Sequence, residues 1–375
     1  MKILLIGDAS NYHNALSVGL SRLGHEVTVA SNGSRWMDTA RHIDLRRSGG
    51  KFGGALLWVR LNTLLASRLK GYDVVQLVNP IFLELKPKRV ASLFRKLKRD
   101  NGGVFLTALG TDTAYLRMAM GKNSPLGYSE WQIGGYAAPL AESARGEQLK
   151  SWLRDPLLSH AEMVYENVDG VVSALYEYHL SMKGVVPDDK LTYGGIPIDV
   201  ESIEFDSRGF DSTPLKVLAP YHSGREFEKG IDVLMDIAEK IPGIDLQPVT
   251  GLKFADFVKR LRESDVVLDQ YYSYTPATTA LMAMAMGKIV VTGAEPEFED
   301  FIGGQVPAFN ASPFNNDEIR EFLVAAREGK KSGRESEIEF KGKIIGGSSA
   351  REFVKHQNDT EVVAARFIDF WQGKL

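Results

Sequence analysis

The chain contains no cysteine, and this absence excludes three kinds of chemistry. The protein can have no disulfide, no thiolate metal site and no cysteine nucleophile. The chain also lacks a run of ~20 apolar residues, which a membrane-spanning helix would need. It starts with an apolar strand, Met1 to Ile6, and not with the pattern of a signal peptide. We therefore expect a cytoplasmic protein.

Nucleotide and metal motifs are scarce as well. There is no G-x-G-x-x-G fingerprint, so a dinucleotide coenzyme is not expected, and the sequence shows no metal-ligand cluster. Gly7 alone follows the first strand. It predicts a close backbone turn near a ligand, with ordinary turn geometry as the alternative.

Acidic residues are few in the first part of the chain. Residues 1–150 hold 21 lysines and arginines against 11 acidic residues, whereas the remainder holds 24 against 37. This asymmetry predicts that the first part faces an anionic partner. No RNA- or DNA-binding motif accompanies the charge, so we do not expect a nucleic acid.

Strands and helices alternate along most of the chain. Residues 1–30 read as strand, turn, helix and strand, with apolar residues at helical spacing from Ala15 to Leu23. Continuous apolar runs, such as Val104 to Ala108, are typical of strands buried on both faces. The alternation predicts an α/β fold with Rossmann-like parallel sheets, and 375 residues suffice for two such domains.

The stretch from Asp265 to Glu299 has the clearest ligand-binding pattern. An apolar strand ends at Asp269, a polar aromatic loop follows, and a helix starting near Pro276 leads to a second strand. Ligands of parallel sheets bind at the carboxyl ends of strands, beside helix N-termini. We therefore expect a ligand to meet the free N–H groups of this helix and three hydroxyls, those of Thr275, Thr278 and Thr279.

Two cations lie in the loop after the strand that begins at Leu215. Arg225 and Lys229 precede a helix whose N-terminus offers free N–H groups. Cations and N–H groups at a helix N-terminus together form an anion site. The alternative is surface pairing of these cations with Glu226 and Glu228.

Several segments resemble motifs of retaining GT-B glycosyltransferases of the family four type (glycosyl transferases group 1). Residues 283–291, AMAMGKIVV, are similar to E-A-M-A-x-G-x-P-V-V, and residues 224–230 to G-R-x-x-x-x-K-G. Residues 109–112 resemble H-G-x-D, and residues 195–199 resemble P-N-G-(V/I)-D. The matches follow the family's order and span nearly the whole chain. Tyr274 and Met282 stand where the family carries glutamates that contact the donor sugar and ribose.

The resemblance implies a reaction. A sugar would pass from a nucleotide diphosphate sugar to a glycan, lipid-linked or small-molecule acceptor, with retention of configuration, as in polysaccharide biosynthesis. No cofactor or metal is expected. Arg225 and Lys229 would stabilise the diphosphate leaving group. The expected donor contacts are Gly7, Ser223, Gly224, Tyr274, Thr275, Thr278, Thr279 and Glu297.

The expected acceptor contacts are Asp8, Asn11, Asp112 and Trp131. Asp112 has a structural alternative, because the same carboxylate could cap the helix that follows it. Trp131 lies among the aromatic residues of a long segment, 113–160, whose alternative role is an added helical pair with its own small core.

The resemblance also implies a domain arrangement. Two Rossmann-like domains would face each other across a cleft, with the acceptor domain at residues 1–205 and the nucleotide-sugar domain at 206–357. A C-terminal helix at 358–375 would return to the first domain. The polar segment 206–214 reads as the linker. The charged, glycine-rich residues 329–347 read as a loop.

Two helices in the first domain are predicted to be amphipathic. One covers residues 55–70, and its apolar positions are Leu56, Leu57, Val59, Leu61, Leu64, Leu65 and Leu69. The other covers residues 86–99 and is strongly basic. Its apolar stripe could pack on the sheet, or the helix could lie on the inner face of an anionic membrane as a peripheral contact.

Two other functions stay open from the sequence. One is a sugar-nucleotide 2-epimerase of the same fold, which would need acid and base side chains in the cleft. The other is a non-catalytic relative that binds a nucleotide sugar or a partner, an alternative favoured by the absence of both glutamates. The sequence does not specify the base, the sugar, the acceptor or the oligomeric state.

Overall fold

The computed structural model of the protein describes residues 1–34, 37–50, 52–206, 214–331 and 336–375. The strands are β1 Lys2–Ile6, β2 Glu26–Ser31, β3 Ile43–Asp44, β4 Val74–Leu77, β5 Gly103–Ala108, β6 Gln132–Ile133, β7 Tyr136–Ala137, β8 Gly170–Ser173, β9 Leu191–Tyr193, β10 Leu215–Pro220, β11 Ile244–Val249, β12 Val266–Leu268, β13 Ile289–Thr292, β14 Phe309–Asn310, β15 Glu337–Phe340 and β16 Lys343–Gly346.

The helices follow the same chain order. They are α1 Tyr12–Arg22, α2 Gly53–Asn62, α3 Pro87–Asp100, α4 Thr113–Ala119, α5 Pro139–Glu142, α6 Ala144–Leu149, α7 Leu157–Asn167, α8 Tyr176–Met182, α9 Ile231–Glu239, α10 Phe254–Glu263, α11 Thr278–Ala285, α12 Pro296–Ile302, α13 Asn316–Lys331, α14 Gly347–Asn358 and α15 Thr360–Gln372.

The chain divides into two compact units. The first comprises residues 1–123, 147–197 and 360–375, and the second comprises residues 124–146 and 198–359. The predicted domain division at residues 205 and 206 stays a prediction. Most of the predicted linker, residues 207–213, lies outside the described residues.

The first unit is built on a parallel sheet with the order β3-β2-β1-β4-β5-β8-β9. Its strands β4 and β5 are buried along their whole length, as their continuous apolar runs predict. The strand order reverses between β1 and β4. The carboxyl ends of these two strands therefore border a crevice of the kind in which α/β sheets bind ligands.

The second unit has its own parallel sheet, with the order β11-β10-β12-β13-β14. Here the order reverses between β10 and β12, which places another switch point at the carboxyl ends of those strands. The predicted α/β fold with Rossmann-like parallel sheets in two units is confirmed.

The C-terminal helix α15 packs in the first unit, against α1, as the fold prediction requires. Gly19 permits the close approach, because a Cβ atom there would lie 2.0 Å from the Thr360 carbonyl oxygen. Farther along α15, the buried indole of Trp371 donates a hydrogen bond to Gln76 Oε1 at 3.0 Å. A buried indole N–H needs such a partner.

Two local predictions were wrong. Residues 337–346 form an antiparallel hairpin of β15 and β16 where a loop was expected. The helix expected over residues 55–70 ends at Asn62, and a 3₁₀ turn, Ala66–Leu69, follows it. The hairpin turns at Lys341 and Gly342, which both adopt a positive φ. This turn is a local signal that the charged, glycine-rich composition of the segment concealed.

The basic helix α3 packs its apolar stripe inward. Four side chains of this stripe lie in the hydrophobic core of the first unit, namely Val90, Leu93, Phe94 and Leu97. The first of the two interpretations of this helix is therefore the observed one. Its apolar residues are not available to a membrane.

Candidate functional site

The switch point of the second sheet is formed by the segments that follow β10 and β12. The loop of residues 221–230 leaves β10 and leads to α9, while Asp269 directly follows β12. The two segments meet, because the Tyr271 N–H donates to the Lys229 carbonyl oxygen at 2.8 Å. Both predicted catalytic cations, Arg225 and Lys229, lie in this loop.

Lys229 is held by a buried carboxylate. Its Nζ lies 2.9 Å from Asp269 Oδ1, and the Lys229 side chain is 35% exposed while that of Asp269 is 1% exposed. The second carboxylate oxygen, Asp269 Oδ2, is buried and has no hydrogen-bond partner among the residues that the structure describes. A buried carboxylate oxygen without a donor is costly, so this position favours a donor group or an ordered water.

Arg225 is paired within its own loop. Its Nε donates to Glu228 Oε1 at 2.6 Å, and Arg145 Nε lies 3.3 Å from the same oxygen. The hydrogen bond that Arg225 donates to Glu228 raises the pKa of the guanidinium. The pairing of Arg225 with Glu228 was one alternative from the sequence. Arg145 was not foreseen, because it lies about eighty positions away in the chain.

The pKa of His222 reflects its burial and the neighbouring cations. Burial lowers the pKa of His222, and the neighbouring charges of Arg225 and Lys229 lower it further. The imidazole is therefore neutral near pH 7, and it could accept or donate a hydrogen bond beside the loop.

Ser223 and Gly224 are exposed, and their N–H groups already have partners. The Ser223 N–H donates to Thr250 Oγ1 at 3.3 Å, and the Gly224 N–H donates to Glu226 Oε1 at 3.0 Å. Helix α9 begins after Gly230, which adopts a positive φ of 67°. A Cβ atom at Gly230 would also meet the Tyr271 ring at 2.7 Å. Glycine is therefore required where the loop enters the helix.

The predicted threonines lie at or just before the start of α11, which begins at Thr278, two residues after Pro276. Thr278 and Thr279 are half-buried in the first turn. Thr275 is buried, and its backbone N–H and carbonyl both bond to the Ser273 hydroxyl, at 3.3 and 2.8 Å. The structure therefore groups Thr278 and Thr279 at the helix start and gives the Thr275 backbone a turn-forming role.

Tyr274 is buried and contacts residues 124–146. Its hydroxyl accepts a hydrogen bond from the Gly127 N–H at 2.7 Å, and its ring stacks on Tyr128 with centroids 4.8 Å apart. Burial raises the pKa of Tyr274 to about 12. This side chain joins residues 124–146 to the rest of the second unit.

Glu297 and Glu295 differ in their surroundings. Glu297 is exposed in the first turn of α12, where an acidic side chain suits the helix dipole. Glu295, just before the helix, accepts a hydrogen bond from the Tyr128 hydroxyl at 2.7 Å. Glu295 was missed in the sequence because its partner is so distant along the chain.

In the first unit, Gly7 and Asp8 lie at the carboxyl end of β1. Gly7 has a φ of 80°, and a Cβ atom there would lie 2.5 Å from Val78 Cγ1. The Asp8 carboxylate accepts hydrogen bonds from the His13 N–H at 3.0 Å and from Thr39 Oγ1 at 2.7 Å. Burial raises the pKa of Asp8.

Asn11 and His13 lie at the start of α1. Asn11 adopts a left-handed conformation at the helix N-cap position, and its N–H donates to Ser34 Oγ at 3.3 Å. His13 is fully buried, and its Nδ1 lies 2.7 Å from the Gly7 carbonyl oxygen. Burial lowers the pKa of His13 to about 4. The sequence gave no signal for His13, since a lone histidine in a helix is usually structural.

Asp112 and Trp131 lie in different units. Asp112, in the first unit, caps α4 by accepting from the Tyr115 N–H at 2.9 Å, which is the structural alternative from the sequence. Trp131 belongs to the second unit and is 2% exposed. Its indole nitrogen has no hydrogen-bond partner among the described residues.

The described residues contain neither a bilayer-spanning helix nor a metal-ligand cluster. No helix in the described ranges is both long and apolar enough to cross a bilayer. Within the same ranges, no group of three or more histidine and carboxylate side chains has the arrangement of a metal site.

No family model matches the chain, and no curated protein sequence matches it at a significant level. Solved structures do match over essentially the whole length. Sucrose-phosphate synthase from Thermosynechococcus elongatus superposes with a TM-score of 0.65 at 12% identity, over 100% of this chain and 99% of that chain.

Two further structures cover the full length of both chains. HepE from Anabaena, solved in complex with UDP-glucose, has a TM-score of 0.61 at 13% identity. The lipopolysaccharide outer core galactosyltransferase WaaB has a TM-score of 0.53 at 12% identity. At these identities the likeness concerns architecture: the chain has the GT-B fold, with a Rossmann-like parallel sheet in each of its two units.

Proposed function

We propose that the protein is a glycosyltransferase that moves a sugar from a nucleoside diphosphate sugar to an acceptor, with retention of the anomeric configuration. The observation that carries this proposal is the cationic loop at the switch point of the second sheet. Arg225 and Lys229 lie there beside the start of α9, where parallel sheets bind phosphorylated ligands.

The cations of this loop suit a diphosphate. Arg145, Arg225 and Lys229 lie close to Glu228 and Asp269, and Glu226 of the same loop accepts a hydrogen bond from the Gly224 N–H. The three cations are therefore matched by three carboxylates, and the site depends on N–H donors rather than on net charge. Arg225 and Lys229 are 43% and 35% exposed, and each has N–H donors beyond those that its carboxylate accepts, which a diphosphate could use.

The reaction we propose has one bond-breaking and one bond-forming event at the anomeric carbon. The bond from this carbon to the β-phosphate oxygen breaks, and a bond to the acceptor hydroxyl oxygen forms on the same face of the sugar. The hydroxyl proton passes to the departing phosphate. Lys229 and Arg225 stabilise the negative charge that develops on the leaving group, and preorganised cations are efficient at this task.

Structural neighbours support a nucleotide sugar as the first ligand to try. HepE was solved with UDP-glucose, and TarM was solved with UDP, α-GlcNAc-glycerol and fondaparinux. We propose by analogy of fold that this chain takes a nucleotide-sugar donor and a glycan, lipid-linked or small-molecule acceptor. The base and the sugar are to be found by experiment.

The proposal is tested by thermal unfolding against nucleoside diphosphates and UDP-, GDP- and ADP-sugars. A ligand that binds the native state raises the unfolding temperature, and at about 100 times its Kd it adds about 2.7 kcal/mol of stability. We expect one nucleotide series to do so, and the double variant Arg225→Ala, Lys229→Ala to lose the effect. The matched control is Lys240→Ala, an exposed lysine just after α9.

A second candidate function is nucleotide-sugar binding without transfer. It is favoured by Tyr274, which stands in place of a family glutamate and uses its hydroxyl for the Gly127 N–H. Binding of a nucleotide sugar without release of the diphosphate, in the presence of a broad set of acceptors, would select this candidate. No thermal shift with any nucleotide would overturn both.

A further inference from the structure

Residues 124–146 cross the carboxyl edge of the second sheet. They contact the segments that follow three neighbouring strands of that sheet, β10, β12 and β13. After β10, helix α5 packs against the 3₁₀ turn Glu226–Glu228. After β12, the Tyr128 ring stacks on Tyr274, and after β13 the Tyr128 hydroxyl donates to Glu295 at 2.7 Å. The candidate site of the second unit is therefore bordered by residues 124–146 as well as by its own loops.

The end of this segment places Arg145 beside the cationic loop, residues 221–230. Arg145 lies at the start of α6, directly before Gly146. Gly146 is buried, and a Cβ atom there would lie 1.9 Å from the Leu140 carbonyl oxygen of α5. The Gly146 N–H also donates to the Ser143 hydroxyl at 2.9 Å. These contacts fix the backbone that carries Arg145.

Arg145 and Arg225 converge on one carboxylate. Arg145 Nε lies 3.3 Å from Glu228 Oε1, and Arg225 Nε donates to the same oxygen at 2.6 Å. The second carboxylate oxygen of Glu228 accepts from Arg225 as well. Two guanidinium groups brought this close repel each other, and the carboxylate between them offsets that repulsion. The charge of a diphosphate would offset it further.

Both arginines are accessible, and stability alone does not account for their pairing with Glu228. The side chains of Arg145 and Arg225 are 35% and 43% exposed, whereas that of Glu228 is 15% exposed. Ion pairs exposed to this degree contribute little to stability. Tyr128 already attaches the segment through its ring and its hydroxyl. A role in binding an anion is therefore the better account of Arg145.

We propose that Arg145 joins Arg225 and Lys229 as a phosphate-contacting residue, so that a diphosphate binds between the cationic loop and residues 124–146. A guanidinium presents five N–H donors in a planar fork that matches the geometry of phosphate oxygens. The inference rests on the proposed nucleotide-sugar site and extends it. Part of that site comes from a segment that the sequence placed in the acceptor domain.

The test is isothermal titration calorimetry of the full chain with inorganic pyrophosphate and with UDP, GDP and ADP. We expect Arg145→Gln to bind pyrophosphate, and the nucleotide that binds the parent chain, roughly tenfold more weakly through loss of a charge-assisted hydrogen bond. The matched control is Arg154→Gln, because Arg154 is 69% exposed and its carboxylate neighbour is Glu147. The control should bind like the parent chain. Both variants should fold, since partly exposed ion pairs contribute little to stability.

A second substitution separates direct contact with phosphate from an effect transmitted through Glu228. If Arg145 contacts the ligand itself, its effect does not require the carboxylate, so Arg145→Gln should again cost roughly tenfold when it is made in Glu228→Gln. No further loss in that background would overturn the proposal, since Arg145 would then act only by positioning Glu228.

The outcomes also distinguish this inference from the proposed glycosyl transfer. Equal affinity of Arg145→Gln and the parent chain for pyrophosphate and nucleotide would overturn the role of Arg145 and leave the transfer proposal intact. A tenfold loss in a protein that transfers no sugar would support the role of Arg145 and reject transfer. If neither pyrophosphate nor any of the three nucleotides binds the parent chain, both proposals fail.

Discussion

A single carboxylate can carry both a structural and an electrostatic role, and Asp112 is the clearest case here. It caps α4, yet it is almost fully buried, and burial raises its pKa from 3.8 to about 6. A raised native pKa means that the folded state binds the proton more tightly than the unfolded state. The contribution of Asp112 to stability is therefore full below pH 4 and is lost as the pH rises through 6.

This argument predicts a pH-dependent difference between the parent chain and Asp112→Asn. The amide keeps an oxygen for the Tyr115 N–H but does not titrate. Relative to the variant, the parent should lose roughly 2–3 kcal/mol of unfolding free energy between pH 4 and pH 6. Urea unfolding at a series of pH values measures this. A constant difference across the series would show that Asp112 has the same pKa in the folded and the unfolded protein.

The loop cations show why side-chain identity alone underdetermines a site. Arg225 and Lys229 were both expected to be available to a phosphate, and in the structure each has a carboxylate partner. The sequence already offered Glu228 as a partner for Arg225. It gave no indication that Asp269, which follows β12, would hold Lys229. Pairing across strands depends on the sheet order, which is a property of the folded chain.

Among the structural elements, residues 124–146 differ most from the predicted domain division, which placed them in the first domain. They precede β8 and β9 of the first unit in sequence but belong to the second unit. Within that unit, Tyr128 stacks on Tyr274 and hydrogen-bonds to Glu295. The aromatic residues of this segment therefore form packing contacts in the second unit, and Trp131 is buried there.

Tyr274→Phe tests this attachment. The change removes the hydroxyl that accepts the Gly127 N–H and leaves that N–H without its partner, at a cost of about 1 kcal/mol. We expect faster hydrogen exchange at the Gly127 amide and little change elsewhere. Tyr136→Phe, on the same segment but 81% exposed, is the control. Unchanged exchange at Gly127 would mean that ring stacking alone attaches the segment.

The same variant separates two roles of Tyr274. If the tyrosine hydroxyl also contacts the donor sugar, as the family resemblance predicts, Tyr274→Phe will reduce the thermal shift produced by a nucleotide sugar and leave the shift produced by the free nucleoside diphosphate intact. If both shifts survive, the tyrosine serves only the attachment of residues 124–146.

For the molecule as a whole, we propose that protein cations, and not a metal ion, stabilise the bound diphosphate. Protein cations at the switch point would balance the diphosphate, so the rise in unfolding temperature caused by a nucleoside diphosphate should be the same in excess EDTA as in magnesium chloride. Lys229→Ala should reduce the rise in both buffers. A shift that disappears in EDTA and returns with magnesium would instead assign the phosphate contact to a metal ion.

Local patterns along the chain were enough to predict the class of fold and to point to a candidate site. Apolar runs bounded by turns and helix-spaced apolar residues specify α/β units, because burial on both sides of a parallel sheet requires them. The loop of Arg225 and Lys229 could also be recognised as a candidate anion site, because its cations and the helix that follows are close together in the sequence. Asp112 was correctly given a cap as one of two roles for the same local reason.

Only the tertiary structure decided the long-range pairings. Lys229 with Asp269, Arg145 with Glu228, and Tyr274 with Gly127 join residues 40, 83 and 147 positions apart, and no local pattern encodes such contacts. It also decided which apolar residues are exposed. Leu56 and Leu57 are neighbours in the sequence, but one is exposed and the other buried, because the core lies on only one side of α2.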